Sequence, residues 1–350
     1  MKTDKTTARL AAVQAAPEWL DRKASVEKAC ALITEAGANG ANIVGFPENF
    51  IPGHPVWYYF YPATSVKSTD FATRLFQNSV ELPGEDSEAL CVAAARAGIN
   101  VVMGLTERVP DTTGTLYNTQ LFIDSTGHIS GKHQKLVPTI GERLVHAGGR
   151  PETQITFTSE FGNIGALACG ENSNPLAVAM VAGAYPTVHV ASWPNHFIPE
   201  YCGMRESSLL VSRNIAYTCK SFVISSCGVN SETMIRELAS TPEHETFLRD
   251  PDKSGGTCIV APSGDIIAGP MDGDQEGILY ADVDFVECIR GRYVHDVSGH
   301  YNRTDVYQLR INNESSELIQ SRPGRTAPGG NGLNEEVAEQ LGSDSHSSAY

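Results

Sequence analysis

Gly162-Asn-Ile-Gly-Ala-Leu-Ala-Cys-Gly-Glu-Asn172 runs from an apolar stretch through a cysteine into a polar turn. Residues 164–168 read as a buried strand and residues 174–183 as the helix that follows, with Pro175 suited to its first turn. Cys169 therefore stands at a strand-to-helix junction, the alternation on which α/β folds are built. A thiol there faces the positive end of a helix dipole, which favours the nucleophilic thiolate. Gly170 lets the chain turn sharply, and its N–H can point at a developing oxyanion. Read alone, a cysteine after an apolar strand is more often a buried small hydrophobe.

Two other polar residues close strand-like runs upstream. Glu48 ends Ala41-Asn-Ile-Val-Gly-Phe-Pro-Glu48, and Lys135 ends Ile129-Ser-Gly-Lys-His-Gln-Lys135. A base, a cation and a thiol make a complete set for covalent acyl transfer. Phe46 and Phe50 flank Glu48 and are expected to desolvate it, raising its pKa toward that of a general base. The aromatic run from Ile51 to Phe60 contains Trp57 and Tyr59. It reads equally as a packed loop and as the wall of an apolar pocket. Taken singly, Lys135 reads as a surface lysine and Glu142-Arg143 as an exposed ion pair. Glu171 and Asn172 read as caps of the next helix, and His54, His133 and His196 as structural or exposed.

Working outward, residues 8–14 read as a buried strand and residues 22–36 as a helix, with Asp21 as its cap and Gly37 at its end. Val26, Ala29, Ile33 and Ala36 give that helix one apolar face. Residues 41–46 and 100–105 read as strands, and residues 87–97 as a helix stopped by Gly98. A hairpin follows, 116–124 with 128–132 across Ser125-Thr126-Gly127. Strand 187–191, helix 205–216 and strand 222–226 precede a second hairpin, 257–261 with 265–268 across Pro262-Ser263-Gly264. Two similar halves suggest an α/β sandwich with two sheets inside and helices outside; a single doubly wound sheet competes closely on periodicity alone. The composition shift near residue 320 predicts a folded domain over 1–320 and a disordered or extended tail over 321–350.

The formal charge of −15 argues against nucleic acid or an anionic membrane as the main partner. Residues 1–10 carry no apolar signal core, and no run is long enough to span a bilayer, so a cytoplasmic location is the default expectation. The eight cysteines form no C-x-x-C pair and no close Cys/His cluster, which suggests neither zinc nor a disulfide framework.

In order and spacing, three segments together resemble the carbon–nitrogen hydrolase family, the nitrilase superfamily. They are Phe46-Pro-Glu48, Lys132-His-Gln-Lys135-Leu-Val-Pro-Thr-Ile-Gly-Glu142-Arg, and Ala168-Cys169-Gly-Glu-Asn172. Phe50-Ile-Pro-Gly-His-Pro55 and Gly299-His-Tyr-Asn-Arg303 are similar to segments of its nitrilase branch, and the resemblance spans roughly residues 8–310. It implies a four-layer αββα sandwich and a Glu48–Lys135–Cys169 triad with Glu142 as second glutamate. It also implies a nitrile substrate, no metal or organic cofactor, and homodimers that grow into larger homo-oligomers. Substrate contacts are expected at Trp57, Tyr59, Gly170, Asn172, Trp193 and Pro194. Gly170 departs from the pattern, since many nitrilases carry Trp after the cysteine. The competing activities are an amidase or a nitrile- or cyanide-hydrating enzyme, with a non-catalytic scaffold more distant.

Overall fold

The strand Thr7–Gln14 (β1) sends successive side chains to opposite faces, and both faces are buried. Leu10 and Ala12 point into one apolar layer, Ala11 and Val13 into another. A strand covered on both faces needs a layer above and a layer below. The computed structural model, which describes residues 5–196 and 203–314, supplies them.

In chain order the elements are β1, helix Arg22–Ala38 (α1), strand Ile43–Gly45 (β2), helices Val66–Gln77 (α2) and Glu85–Ala97 (α3), and strands Asn100–Arg108 (β3), Leu116–Ile123 (β4) and Ile129–Gln134 (β5). Then come strands Thr156–Ser159 (β6) and Gly162–Ala168 (β7), helix Pro175–Gly183 (α4), strand Val188–Trp193 (β8), helix Met204–Cys219 (α5) and strand Phe222–Cys227 (β9). Helices Glu232–Leu238 (α6) and Pro242–Arg249 (α7), strands Cys258–Val260 (β10), Ile266–Ala268 (β11) and Gly277–Asp284 (β12), and helix Val286–Val294 (α8) complete it. All belong to the unit Met1–Asn312; the second unit, Asn313–Tyr350, lies almost wholly outside the described residues, as does the tail expected over 321–350.

Two six-stranded sheets form, in the orders β12-β1-β2-β3-β4-β5 and β11-β10-β9-β8-β7-β6. Each has a parallel centre, β1-β2-β3 and β7-β8-β9, with antiparallel strands at its flanks. The sheets face each other across Leu10, Ile43, Val102, Phe122, Ile164, Val190 and Ile224. Helices α1 and α3 cover the outer face of the first sheet, and α4 and α5 that of the second. The layers are αββα, and the single doubly wound sheet is excluded. Among the described residues no helix is long and apolar enough to cross a membrane.

The expected α1 stripe of Val26, Ala29, Ile33 and Ala36 is buried, and Asp21 caps the helix by accepting from Ala24 N–H. Its end differs from expectation: Gly37 is inside the helix, which stops at Asn39. A Cβ on Gly37 would stand 2.7 Å from that of Ala97, so the glycine permits close α1–α3 packing and is not a cap.

The layer between the sheets changes character along its length. Phe122, Val190 and Ile224 give way to Gln120 and Asn118, to Ser192 and to Ser226, toward the carboxyl ends of the parallel strands. Ser226 Oγ donates to the Gly45 carbonyl at 2.8 Å and Ser192 Oγ to that of Phe46 at 2.8 Å. Gln120 donates to Ser192 Oγ at 2.8 Å, and Glu48 N–H to the Trp193 carbonyl at 3.1 Å. These bonds pin the end of β2 to β8 and β9 at the edge where open α/β sheets bind ligands. Gly45 lets the sheets meet: a Cβ there would stand 2.7 Å from Val190 Cγ1 and 2.8 Å from Ile224 Cγ2. Gly45→Ala is expected to destabilise the protein by about 1–3 kcal/mol through overpacking. Urea unfolding measures this, and an unchanged midpoint would show that the inter-sheet layer yields freely.

Candidate active site

Three segments converge at this polar edge. The turn after β2 delivers Glu48, the end of β5 delivers Lys135, and a five-residue 3-10 turn after β7 delivers Cys169. A second 3-10 turn, Ile140–Leu144, swings Glu142 back over Lys135. All four side chains are buried. Lys135 Nζ donates to Glu48 Oε1 at 2.8 Å and to Glu142 Oε2 at 2.6 Å. The surface readings of Lys135 and Glu142 are thus corrected: the Thr139 turn folds Glu142 inward, where its Oε2 also accepts from Thr139 N–H at 2.8 Å. Arg143 stays exposed and donates to the Pro138 carbonyl.

Residues at these junctions hold left-handed backbones although none is glycine. The φ angles are 48° at Asn49, 48° at Ile140 and 45° at Cys169. Such conformations cost about 1–3 kcal/mol each and persist where neighbours over-determine them. Asn172 Nδ2 donates to the carbonyls of Leu167 and Cys169, and its Oδ1 pairs with His189 Nε2 at 2.8 Å. Both amide atoms of Asn172 are thereby engaged in holding the cysteine turn. Glu171 ties that turn to the lysine strand, accepting from Ala168 N–H, Leu136 N–H and His133.

The electrostatics separate the two glutamates. Burial and then the anionic Glu142 raise Glu48 to about 7, against the pull of Lys135. Glu142 is also penalised by burial, but Lys135 and His146 hold its pKa well below the carboxylate range. Burial opposes the Lys135 ammonium, yet the two carboxylates hold its pKa well above the ordinary value. The Cys169 thiol is pushed far up, by burial first and by Glu48 next; Lys135 and the Gly170 N–H pull the other way. This corrects the expectation of a dipole-stabilised thiolate. Cys169 heads a short 3-10 turn, α4 begins only at Pro175, and desolvation dominates. Phe46 and Phe50 are buried in the core that also holds apolar side chains of α1 and α3. The polar atoms beside the Glu48 carboxylate belong to Lys135, Asn118 and His54.

Glu48, His54 and Glu142 bring three possible metal-ligand atoms within 4.8 Å of one another. They do not suit a cation, because the Lys135 ammonium already contacts both carboxylates. His54 Nδ1 accepts from Asn49 Nδ2 at 2.9 Å, and burial lowers the ring's pKa to about 3, so it stays neutral.

The expected pocket wall divides. Tyr59 is half-buried and electrostatically coupled to Cys169. Trp57 is instead a core residue, stacked on Phe71 at 5.5 Å and edge-on to Trp19 at 6.3 Å. Trp193 and Pro194 are buried where β8 ends, and the Trp193 carbonyl receives Glu48 N–H. Among the described residues a Cβ on Gly170 would meet only Thr139 Oγ1, at 3.5 Å, an ordinary contact. The Gly299-His-Tyr-Asn-Arg303 segment forms a turn, with Tyr301 exposed and Arg303 paired to Asp305. Sequence reasoning missed Asn118, whose Nδ2 donates to Glu48 Oε1 at 2.7 Å and Glu142 Oε1 at 2.8 Å. Its signal was Asn118-Thr119-Gln120, three polar residues in succession inside a buried strand.

Comparison with known proteins gives the family. The family profile described as "Carbon-nitrogen hydrolase" matches residues 9–293. A protein named "Nitrilase" from Bacillus sp. (strain OxB-1) is 35% identical over 318 residues, covering 89% of this chain and 90% of that protein. An "Arylacetonitrilase" from Aspergillus niger is 33% identical, covering 92% and 93%. The solved carbon–nitrogen hydrolase of Helicobacter pylori G27 shares the fold with a TM-score of 0.65 at 17% identity, covering 86% of this chain and 97% of its own.

Trp57→Ala is expected to cost about 3–5 kcal/mol, the loss typical of a large buried aromatic. Tyr59→Ala should cost clearly less. Denaturant melts of both variants test the division, and a Trp57→Ala protein of native stability would return that side chain to the pocket wall.

Proposed function

The chain belongs to the carbon–nitrogen hydrolase family, and from that premise we propose that it is a nitrilase, hydrolysing an organic nitrile to the carboxylic acid and ammonia through a covalent bond to Cys169. One observation carries the mechanism: a buried thiol whose pKa is raised shares a cluster with a carboxylate whose pKa is about 7 and an ammonium fixed between two carboxylates. The nitrile rather than the amide reading rests on the nitrilase-named relatives aligned over about nine-tenths of the chain.

In the first step the Cys169 proton passes to Glu48 as sulfur attacks the nitrile carbon. The π electrons move to nitrogen, which takes the proton back, leaving a thioimidate. Lys135 and the Gly170 N–H offset the charge that develops on nitrogen and later on oxygen. Glu48 then removes a proton from water as it adds to the thioimidate carbon. Nitrogen takes that proton from Glu48; as the tetrahedral intermediate collapses, Glu48 carries the hydroxyl proton to nitrogen as well, so that ammonia leaves and a thioester remains. A second water, activated the same way, releases the acid and restores the thiol. Two waters are consumed per nitrile. Glu142 remains anionic throughout and holds the ammonium. Loss of Glu48, Lys135 or Cys169 should each raise the barrier by several kcal/mol, without additivity.

Cys169→Ala is expected to keep the native melting temperature and release no ammonia, while the native enzyme stopped early with a nitrile shows a one-to-one adduct by intact mass. Near-normal turnover in that variant would remove the nucleophile from the scheme. Glu48 must be ionised to take the first proton, so kcat/KM should fall as pH drops through about 7. A flat profile from pH 5 to 8 would place the proton acceptor elsewhere. Assaying a nitrile beside its matching amide separates nitrilase from amidase, and a dominant amide product would mark a nitrile-hydrating enzyme.

A further inference from the structure

We infer that Asn118 is a positioning residue that assigns proton transfer to Glu48, by occupying one oxygen of each glutamate with a single amide group. The inference rests on the proposed role of Glu48 as proton acceptor.

The two carboxylates are furnished unequally. Glu142 receives four donors: Asn118 Nδ2 and His146 Nδ1 on Oε1, Lys135 Nζ and Thr139 N–H on Oε2. Glu48 receives two, Asn118 Nδ2 and Lys135 Nζ, both on Oε1. Its Oε2 is buried without a hydrogen-bond partner, and the neutral His54 ring stands beside it, Nδ1 at 3.8 Å. A carboxylate with four donors stays ionised; one with a bare oxygen has a vacant place for a proton. Asn118 contacts both and has no charge of its own. Its amide has one allowed orientation, because turning Oδ1 toward the carboxylates would set three oxygens against one another. Its backbone carbonyl also accepts Lys135 N–H at 2.8 Å, so the same residue sets the height of the lysine. β4 carries Asn118 on the inter-sheet face, with Gln120 and Phe122 one and two steps along; Gln120 is bonded across to Ser192. The amide is thus fixed by the sheet and not by a loop.

The groups facing Glu48 and Glu142 from the surrounding elements are Lys135, His54, Tyr58, Tyr59, His146 and Cys169, with His196 beside His54. Only Asn118 and Lys135 donate to both glutamates among the described residues. Removing the Asn118 donor takes a stabilising bond from the ionised form of Glu48 and raises its affinity for a proton. The pH at which Glu48 becomes available then moves upward.

The test is the pH dependence of Cys169 alkylation by iodoacetamide, read by intact mass, in the native protein and in Asn118→Ala, Asn118→Ser and Asn118→Asp. No nitrile is involved, so an error in the substrate reading leaves the result intact. The acidic limb of the native profile is expected near 7. It should move up by at least ~0.5 pH unit in the Ala and Ser variants, and further in the Asp variant, which adds a third carboxylate. Where turnover is measurable, kcat should fall more than KM rises. A limb that stays in place while only the rate falls would overturn the inference, and so would loss of the folded circular dichroism spectrum in all three variants, since either result makes Asn118 a structural residue alone.

Discussion

The ammonium of Lys135, held between two buried carboxylates, is the constraint on which the site depends. Two carboxylates so close cannot both remain ionised in a low-dielectric setting unless a cation separates them. A lone buried ammonium is equally unstable. The three groups are therefore mutually required, and removing one partner of such a cluster typically costs about 3–5 kcal/mol. The cluster carries one net negative charge when all three are ionised, and this residual charge makes one glutamate the weaker acid. The Thr139 turn and His146 steady Glu142, so the proton affinity collects on Glu48.

That cluster belongs to the first sheet, whereas Cys169 belongs to the second. Their approach depends on inter-sheet register, and the register is fixed where the layer turns polar. Ser192 and Ser226 bond to carbonyls at the end of β2, and the Trp193 carbonyl receives the amide of Glu48 itself. Satisfying these backbone groups is obligatory once they are buried. The bonds that avoid an unpaired carbonyl at the sheet edge thereby also set the separation of Glu48 and Cys169. Gly45 contributes by absence, since any side chain there would push against Val190 and Ile224.

What was legible in the sequence follows from the range of the forces involved. The α1 stripe, the two hairpins and the strand before Cys169 depend on local periodicity and turn chemistry, and they formed as read. Helix α2 was missed because its 12 residues bury only Ser68, Phe71 and Leu75. Its apolar face is completed by Trp19 and Trp57 from other segments. Strand β12 was missed because its pairing is with β1, more than 260 residues away in sequence. The separate glutamates, lysine and cysteine each looked ordinary, and only their ordered spacing set them apart. For Trp57 and Asn172 the residue type announces a capacity to bind, whereas the structure adds what each packs on or bonds to: Trp19 and Phe71 for the first, the cysteine turn for the second. The thiol was misread because a helix dipole is a small term beside complete desolvation.

The ordering of proton affinities has a chemical consequence. Glu142 is the strongest acid of the set, Glu48 lies near neutrality, and the Cys169 thiol is far weaker than either. In the proposed mechanism the resting thiol keeps its proton, and a protonated thiol is a poor nucleophile. Transfer to Glu48 is uphill until negative charge can flow onward from sulfur to a substrate atom beside Lys135. Nucleophilicity therefore arises together with bond formation rather than before it. A free thiolate in the resting enzyme would react with any oxidant or electrophile small enough to enter. The proposed arrangement confines reactivity to molecules that accept charge beside the Lys135 ammonium.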